Sequence, residues 1–404
     1  MDPVRNPFAP GAGTPPPAFA GRAELLEKAR IALLRVREGR AAKSLLLIGL
    51  RGVGKTVLLN RVLELAEAEG YRALLIETTE GMDIGQLLLP PLRRVLLALD
   101  RLEGANEQVR RSFRVFRSFA KSLKIKVGEI EVSLGIEEEK GVADTGNLET
   151  DLPDLLVAVA QAGAARKVPI ALIVDELQYL SEDELSALIL AMHKIAQKQL
   201  PLILFGAGLP QLVGQSGKSK SYAERLFEFS EVGPLSRLHA IAALDQPVRR
   251  EGVYFTSGAL DEIVSTTLGY PYFLQEWGYH VWNAATVSPI TAAMVRAAGP
   301  ATIRSLDESF FRVRFDPLTP REKDYLRGMA ELGPGPHRSG DVAEALSVAV
   351  ASVAPVRSSL IKKGMIYSPA HGDTAFTVPL FDAYLKRTMP LRTPKPRAQP
   401  RQET

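Results

Sequence analysis

The amino-acid sequence predicts an α/β fold: a parallel sheet flanked by helices, followed by a helical lid and a winged-helix domain. Three observations support this prediction. Short, wholly apolar runs alternate with helix-patterned segments in the first 235 residues, as in a parallel sheet that is covered on both faces. From about residue 236 the pattern is helical throughout. Near the C-terminus, three helical segments precede a β-hairpin, which is the composition of a winged helix.

The elements of the sheet region follow one another in the order expected for a parallel sheet. A helix is predicted from Arg22 to Arg37, and a second from the glycine-rich loop to about Glu69. A third begins at the capping box Ser181-Glu182-Asp183-Glu184 and lasts to about Gln199. The predicted strands are Ser44–Ile48, Arg72–Ile76, Pro169–Val174 and Pro201–Phe205.

The remaining elements belong to the lid and the winged helix. Lid helices are predicted near residues 236–244, 258–267, 271–285 and 290–305. The winged-helix helices are predicted near 320–332, where Thr319 and Glu322 form a capping box, and near 340–346 and 355–363. The strands Met365–Ser368 and Ala375–Val378 flank the turn His371-Gly372-Asp373 and form the hairpin.

Length and composition limit the classes of protein to which the chain can belong. Its 404 residues are too many for a single core and fit two or three domains. Because cysteine is absent, disulfides, thiolate metal sites and cysteine nucleophiles are excluded. Neither a signal peptide nor an apolar run of about 20 residues is present. We therefore expect a cytoplasmic protein with no membrane partner. Its net charge of +4 permits a basic face for nucleic acid.

The domains are predicted with the following boundaries. Residues 1–20 form a Pro/Gly-rich tail or wrap, 21–235 form the sheet-containing core domain with an insertion at about 105–145, 236–315 form the lid, 316–390 form the winged helix, and 391–404 form a disordered tail.

The most informative motif is Gly49-Leu50-Arg51-Gly52-Val53-Gly54-Lys55-Thr56, which lies between a predicted strand and a predicted helix. Glycines allow successive backbone N–H groups to face phosphates, and the helix N-terminus adds a partial positive charge. The motif therefore predicts a nucleoside triphosphate site formed by the backbone from Gly49 to Val57. Lys55 would provide a full positive charge for binding and catalysis, and the Thr56 hydroxyl would bind Mg²⁺.

Two carboxylates follow the third predicted strand and complete a site for phosphoryl transfer to water. Asp175 would hold Mg²⁺, directly or through water, and Glu176 would polarise the attacking water. The alternative is an ordinary strand-to-helix turn. The fourth strand ends in Gly206-Ala207-Gly208-Leu209, without a polar side chain that could sense the γ-phosphate.

Two groups of arginines admit more than one interpretation. Arg225 could reach the γ-phosphate of a neighbouring subunit, or it could be a surface arginine. Arg237 is a second candidate for the same role. Residues 105–123 interleave basic side chains with Phe113, Phe116 and Phe119. They could bind a nucleic-acid backbone, but the spacing favours one buried helix face. Residues 124–136 alternate like a β-hairpin.

These motifs together resemble AAA+ ATPases of the origin-recognition initiator clade and the related STAND signalling ATPases. The resemblance spans about residues 15–388 and is carried by the segment Phe19–Leu25, the loop at 49–56, Asp175-Glu176, Gly269-Tyr270-Pro271 and the winged helix. It implies that residues 17–22 frame the adenine of ATP, that Gly269 and Pro271 close the lid over the base, and that ATP alters assembly with a homo-oligomer or a protein partner. The lid lacks the usual arginine after Gly269, so slow hydrolysis is expected.

The winged helix leaves two functions open. Its recognition helix, Pro355 to Lys363, would present Arg357, Ser358, Ser359, Lys362 and Lys363 to duplex DNA. In the first hypothesis, ATP gates this DNA binding. In the second, the unit contacts a protein, and the chain is a signalling or scaffold switch that does not bind DNA. A small-molecule kinase is a third hypothesis, which leaves residues 316–390 unexplained.

Overall fold

The computed structural model describes residues 1–11, 13–102, 106–124, 137–219 and 223–390. Except for Lys124, the hairpin predicted over residues 124–136 lies outside this part of the chain. The tail predicted over residues 391–404 lies outside it as well.

A five-stranded parallel sheet forms the centre of the first half of the chain. Its strands are β1 (Ser44–Ile48), β2 (Arg72–Glu77), β3 (Ile170–Asp175), β4 (Leu202–Gly208) and β5 (Phe227–Glu231). They lie in the order β2-β3-β4-β1-β5, and each adjacent pair is parallel. The four predicted strands are present, and β5 is an additional edge strand that was not predicted. Parallel strands place the ends of β1 and β3 at the same edge of the sheet, with β4 between them.

Helices cover both faces of this sheet. They are α1 (Ala23–Arg37), α2 (Lys55–Ala68), α3 (Ile84–Asp100), α4 (Glu107–Ser122), α5 (Leu148–Arg166), α6 (Glu182–Gln197), α7 (Gln211–Ser219) and α8 (Ala223–Leu226). Side chains from α1 and α2 pack with Leu45 and Leu47 on one face. Side chains from α3 to α6 pack with Leu46 and Ile48 on the other face. Both faces of β1 are buried, which explains its uninterrupted apolar sequence.

The basic and aromatic segment before residue 123 is the amphipathic helix α4. Phe113, Phe116 and Phe119 are buried in the core below the sheet. On the opposite side, Arg111 and Arg114 both pair with Glu139, at 2.8 and 3.3 Å. The buried-face interpretation of this segment is confirmed.

A helical region follows the sheet. Its helices are α9 (Arg237–Arg250), α10 (Ser257–Thr267), α11 (Pro271–Ala284), α12 (Ala292–Leu306) and α13 (Arg312–Phe315), with a π-helical turn (Asp307–Phe311) before α13. The predicted end of α9 near residue 244 is wrong, since the helix continues through Pro247. Pro247 and Val248 are buried against the lid core, and this burial offsets the missing backbone hydrogen bond.

The last part of the chain that the structure describes is here called the C-terminal unit. It comprises α14 (Pro320–Leu332), β6 (His337–Arg338), α15 (Ser339–Ala345), α16 (Val350–Lys362), β7 (Ile366–Tyr367), β8 (Asp373–Phe376) and α17 (Phe381–Thr388). Its strands form an antiparallel sheet in the order β6-β8-β7. Helix α16 begins five residues before the predicted start at Pro355, because burial of Val353 extends the helix in the N-terminal direction.

The lid and the C-terminal unit share one hydrophobic core. In this core, Phe310 and Phe311 of the π-helical turn touch edge to face, with ring centroids 5.2 Å apart. Phe311 then stacks on Tyr384 of α17 at 5.1 Å. Phe8 of the N-terminal segment is also buried there, against Gly278 of α11. The first residues of the chain therefore wrap around the lid.

Within the described residues, no single helix is long and apolar enough to cross a bilayer, and one bent pair, α15 with α16, meets the length and composition criteria only in combination. The predicted cytoplasmic location and the predicted domain boundaries stay predictions.

Candidate nucleotide site

The segment Gly49–Thr56, here called the phosphate loop, connects β1 to the N-terminus of α2. Gly52 and Gly54 have φ angles of +79° and +90°, a left-handed conformation that favours glycine. Lys55 is only 6% exposed, and its Nζ donates to the carbonyl oxygens of Gly49 and Leu50, each at 2.9 Å. Burial lowers the pKa of Lys55 to about 8, although the Glu176 and Asp175 carboxylates oppose this shift. The loop thus holds a buried cation beside free helix N–H groups, which is a site for a phosphate chain.

The end of β3 places Asp175 directly against this loop. Asp175 is 3% exposed, and its Oδ2 accepts a hydrogen bond from the Thr56 hydroxyl at 2.6 Å. Burial raises the pKa of the Asp175 carboxyl, whereas the Thr56 hydrogen bond lowers it. A hydroxyl and a carboxylate at this distance provide the hard oxygen ligands that Mg²⁺ prefers. The two predicted metal ligands are therefore adjacent.

Glu176 is held beside them in an uncommon backbone conformation. Its φ of +57° lies in the left-handed region, which costs a non-glycine residue about 1–3 kcal/mol. The Thr78 hydroxyl donates to the Glu176 carbonyl oxygen at 2.6 Å, and the Glu176 N–H donates to Asp175 Oδ1 at 2.8 Å. Strain maintained by specific hydrogen bonds is typical of functional sites. The bend turns Glu176 out of the strand, and its side chain is 19% exposed.

A polar side chain that the sequence did not indicate lies at the end of β4. Gln178 comes from the 3-10 turn after β3, and its Oε1 accepts from the Leu209 N–H at 3.0 Å. Its Nε2 donates to the Glu176 carboxylate. A Cβ at Gly208 would lie 3.1 Å from Gln178 Oε1, so the glycine leaves room for the amide. The end of β4 has no polar side chain of its own. Gln178, from the turn that follows the neighbouring strand β3, supplies one there.

The segment before α1 supports the phosphate loop from the other side. The Arg22 guanidinium donates to the carbonyl oxygens of Val53, at 3.2 Å, and Gly233. Further upstream, a Cβ placed on Gly13 would lie 3.4 Å from the Thr56 methyl group. The N-terminal wrap therefore passes next to the start of α2. The expectation that residues 17–22 frame the adenine stays a prediction.

The lid residues singled out in the sequence also lie beside the phosphate loop. Gly269 has a φ of +72°, and its carbonyl oxygen accepts from the Leu235 N–H at 2.9 Å. Pro271 begins α11, and the following residue, Tyr272, donates its N–H to the Gly52 carbonyl oxygen at 3.2 Å. The lid is thereby attached directly to the loop.

The C-terminal unit docks on the same loop, which was not anticipated. The Arg51 N–H donates to the Thr377 carbonyl oxygen at 3.0 Å, and a Cβ on Gly364 would lie 2.9 Å from Arg51 Nη2. The same guanidinium donates to the Tyr179 hydroxyl at 2.7 Å and lies 4.0 Å from Glu176 Oε1. Arg51 was predicted only as part of the loop backbone. In the structure, its side chain joins the carboxylate edge to the C-terminal unit.

The two candidate finger arginines are both exposed. Arg225 is exposed on α8, at the amino-terminal end of the sheet and therefore opposite to the phosphate loop. There it lines a cavity of about 250 Å³ together with Lys43 and Arg40. Arg237 is exposed and pairs with Asp261. Arg225 cannot serve the nucleotide site of its own chain, and a role of either arginine towards a neighbouring molecule stays a prediction.

The five candidate DNA contacts on α16 and at its end differ in availability. Arg357 Nε donates to the Thr374 hydroxyl at 2.8 Å, and its Nη2 donates to Ser368 and to the Asp373 carbonyl oxygen, both at 2.9 Å. Lys363 pairs with Glu322 at 2.8 Å. These two cations are held inside the C-terminal unit rather than presented outward as expected.

Ser358 and Lys362, in contrast, are exposed. Ser359, which was expected beside them, turns inward and donates to Glu322 at 2.7 Å. Of the basic residues predicted for recognition, Lys362 alone is free of these internal contacts.

Comparison with known proteins places two parts of the chain in families. Residues 18–205 match the AAA ATPase domain, and residues 308–385 match a domain of unknown function, DUF8462. None of the curated proteins matches the chain.

The chain is also similar to solved structures at low sequence identity. The Walker-type ATPase PABY2304 of Pyrococcus abyssi is 18% identical, with a TM-score of 0.54 over 91% of this chain and 96% of that one. The Aeropyrum pernix ORC1 protein, solved in complex with DNA, is 14% identical, with a TM-score of 0.47 over 95% and 96%. The Thermotoga maritima RuvB Holliday junction branch migration motor is 15% identical, with a TM-score of 0.42 over 88% and 92%. The domain match over residues 18–205, together with the parallel sheet and its phosphate loop, identifies this part of the chain as an AAA ATPase domain.

Proposed function

We propose that the chain binds ATP with Mg²⁺ at the phosphate loop and hydrolyses it slowly. The observation that carries this proposal is the hydrogen bond between Thr56 and Asp175, with Glu176 beside it. The backbone from Gly49 to Val57 would hold the phosphates, and Lys55 would exchange its contacts with loop carbonyls for contacts with phosphate oxygens. Thr56 and Asp175 would hold Mg²⁺, which neutralises charge on the phosphates when bound.

Glu176 has the position and surroundings of the residue that orients the attacking water. Its carboxylate is partly exposed, so a water can reach it, and Gln178 fixes its orientation. The residues of α11 that follow Gly269 include no arginine that could contact the terminal phosphate, which supports slow turnover.

We further propose that the state of the nucleotide controls docking of the C-terminal unit, which has the element order of a winged helix. Thr377 and Gly364 of that unit contact Arg51 of the phosphate loop itself. A phosphate chain that attracts Arg51 would compete with these contacts. The unit would then be released or reoriented when ATP binds, and this change would expose a surface for assembly with a second copy or a protein partner.

The absence of cysteine allows this docking to be measured directly. Single cysteines in place of the exposed residues Glu67 on α2 and Ser358 on α16 would carry a donor and an acceptor dye. We expect the energy-transfer efficiency to change with a non-hydrolysable ATP analogue in wild type and to stay constant in a Lys55→Ala background. A constant efficiency at saturating analogue would refute nucleotide control of docking.

DNA binding through the C-terminal unit is the weaker alternative, because Arg357 and Lys363 are engaged internally. A fluorescent duplex titrated with the protein decides between the two. DNA binding would give an affinity that falls steeply with salt and is lowered by Lys362→Ala. A protein-recruiting switch would give neither effect.

A further inference from the structure

The end of the lid brings one more cation to the phosphate loop. Arg314 lies on α13, and its guanidinium sits 4.1 Å from the centre of the Phe310 ring. Phe310 stacks on Tyr272 with ring centroids 4.6 Å apart, and Tyr272 is hydrogen-bonded to Gly52. Arg314 is therefore connected to the phosphate loop through two stacked rings and one backbone hydrogen bond.

The surroundings of Arg314 leave its charge poorly balanced. Within the described part of the chain, no carboxylate lies within 4.0 Å of its guanidinium, which donates to the Phe310 carbonyl oxygen instead. Burial, and then the neighbouring Arg51, lower the pKa of Arg314 to about 10, so the side chain still carries its charge near neutral pH. A partly buried arginine facing a second arginine is unfavourable unless an anion joins them.

Three cations, Arg51, Lys55 and Arg314, interact electrostatically with the Glu176 carboxylate, and Arg51 lies 4.0 Å from it. Asp175 adds a second negative charge, which acts on Lys55. Two carboxylates leave the three cations with one excess positive charge. The planar guanidinium is suited to bidentate binding of phosphate oxygens. The position beside Glu176 is also the place where the terminal phosphate must lie if Glu176 is to orient the attacking water.

We propose that Arg314 and Arg51 together bind the terminal phosphate of ATP, so that the lid end distinguishes ATP from ADP. The proposal rests on the proposed nucleotide site and identifies the residues of that site that select the triphosphate. Because Arg314 follows the turn that carries Phe310 and Phe311, its movement towards a phosphate would also shift the aromatic contact between the lid and the C-terminal unit.

Affinities for a non-hydrolysable ATP analogue and for ADP, measured by calorimetry on the full chain with Mg²⁺, test this proposal. The variant Arg314→Met keeps an apolar stem on the Phe310 ring but removes the charge. We expect it to weaken analogue binding about 10- to 100-fold, the range for a lost charge-assisted hydrogen bond, and to weaken ADP binding less than about 3-fold. Arg314→Lys keeps the charge but not the planar guanidinium. It should therefore weaken analogue binding, but less than Arg314→Met does.

The matched control is Arg312→Met on the same helix. Arg312 is exposed and pairs with Asp316 at 3.0 Å, away from the loop. The Arg312→Met change should alter neither the affinity for the ATP analogue nor the affinity for ADP. Equal losses for the analogue and ADP, or an unchanged affinity ratio in both Arg314 variants, would overturn the role of Arg314. If wild type binds neither nucleotide, the proposed nucleotide site itself fails, so the two failures are distinguishable.

Discussion

At the scale of single residues, the site depends on a few side chains that the fold places around the phosphate loop. Lys55 is buried, and its ammonium donates hydrogen bonds to carbonyl oxygens of the loop rather than to a carboxylate. The Thr56 hydroxyl donates a hydrogen bond to the Asp175 carboxylate. Both arrangements leave charges and ligands that a Mg²⁺-bound triphosphate could use without a large rearrangement. Each side chain therefore supports a separate prediction.

The first prediction concerns Lys55. We expect Lys55→Ala to abolish measurable ATP binding, because the variant loses the full charge that faces the phosphates. The measurement is a titration with a fluorescent ATP analogue. An affinity equal to that of wild type would remove Lys55 from the site. Lys28→Ala, a change to a partly exposed surface cation on α1, is the control and should bind normally.

The second prediction concerns Glu176. Glu176→Gln should bind ATP as wild type does but lower the rate of phosphate release roughly 10²- to 10⁴-fold, the usual contribution of a positioned base. Phosphate release is measured under saturating ATP. The exposed Glu182→Gln on α6 is the control and should keep the wild-type rate. Undiminished turnover in Glu176→Gln would exclude Glu176 as the residue that orients water.

At the scale of elements, the unusual feature is that three separate parts of the chain meet at one loop. Tyr272 of α11 and Thr377 of the C-terminal unit hydrogen-bond to successive residues of the loop, Gly52 and Arg51. The N-terminal wrap passes Thr56. Any element that shifts on nucleotide binding would therefore move its neighbours as well.

The third prediction uses two glycines of the C-terminal unit that share a backbone conformation. Gly364 and Gly372 have φ angles of +63° and +84°, so alanine adds comparable strain of about 1–2 kcal/mol at each. At Gly364 the new methyl would also press against Arg51, whereas at Gly372 it would meet open space. We expect Gly364→Ala to shift the energy transfer between α2 and α16 towards the ATP-bound value without nucleotide.

Gly372→Ala should lower the stability of the fold about as much as Gly364→Ala does. It should leave the energy transfer at its wild-type value. Thermal unfolding of both variants checks the first expectation, and the dye pair checks the second. The same energy transfer in the two variants would show that Gly364 and Arg51 do not hold the docked state.

At the scale of the whole molecule, the lid and the C-terminal unit form a single packed body because they share one core. Tyr272 and Thr377 attach that body to the phosphate loop. Under the proposed function, the body would move as a unit when the loop changes its contacts. Such a movement would link the state of the nucleotide to assembly.

The fourth prediction is that nucleotide changes the mass of the particle in solution. We expect a larger species with the ATP analogue than without nucleotide, measured by light scattering, and no such change in Lys55→Ala. Duplex DNA is added as a further condition. A mass that is the same in all nucleotide states would contradict control of assembly, and a shift that appears only with DNA would favour the DNA-binding alternative.

Much of this architecture was predictable because it rests on local patterns. Strands β1 to β4, the phosphate loop and the capping boxes at Ser181 and Thr319 follow from apolar runs, glycine spacing and short-range hydrogen bonds. Strand β5 was not predicted, because Phe227–Glu231 contains two glutamates and lies at an edge. The start of α16 was misplaced because proline usually marks a first turn.

The sequence by itself determined the parallel sheet, the phosphate loop and the pair Asp175-Glu176, since each depends on neighbouring residues in the chain. Only the tertiary structure decided that Gln178 supplies the polar group at β4 and that Arg51 joins the C-terminal unit to the site. It also decided that Arg314 lies on the Phe310 ring, near Gly52 of the loop, and that Arg357 and Lys363 turn inward. These outcomes depend on which distant segments pack together, and no local pattern of residues records that choice.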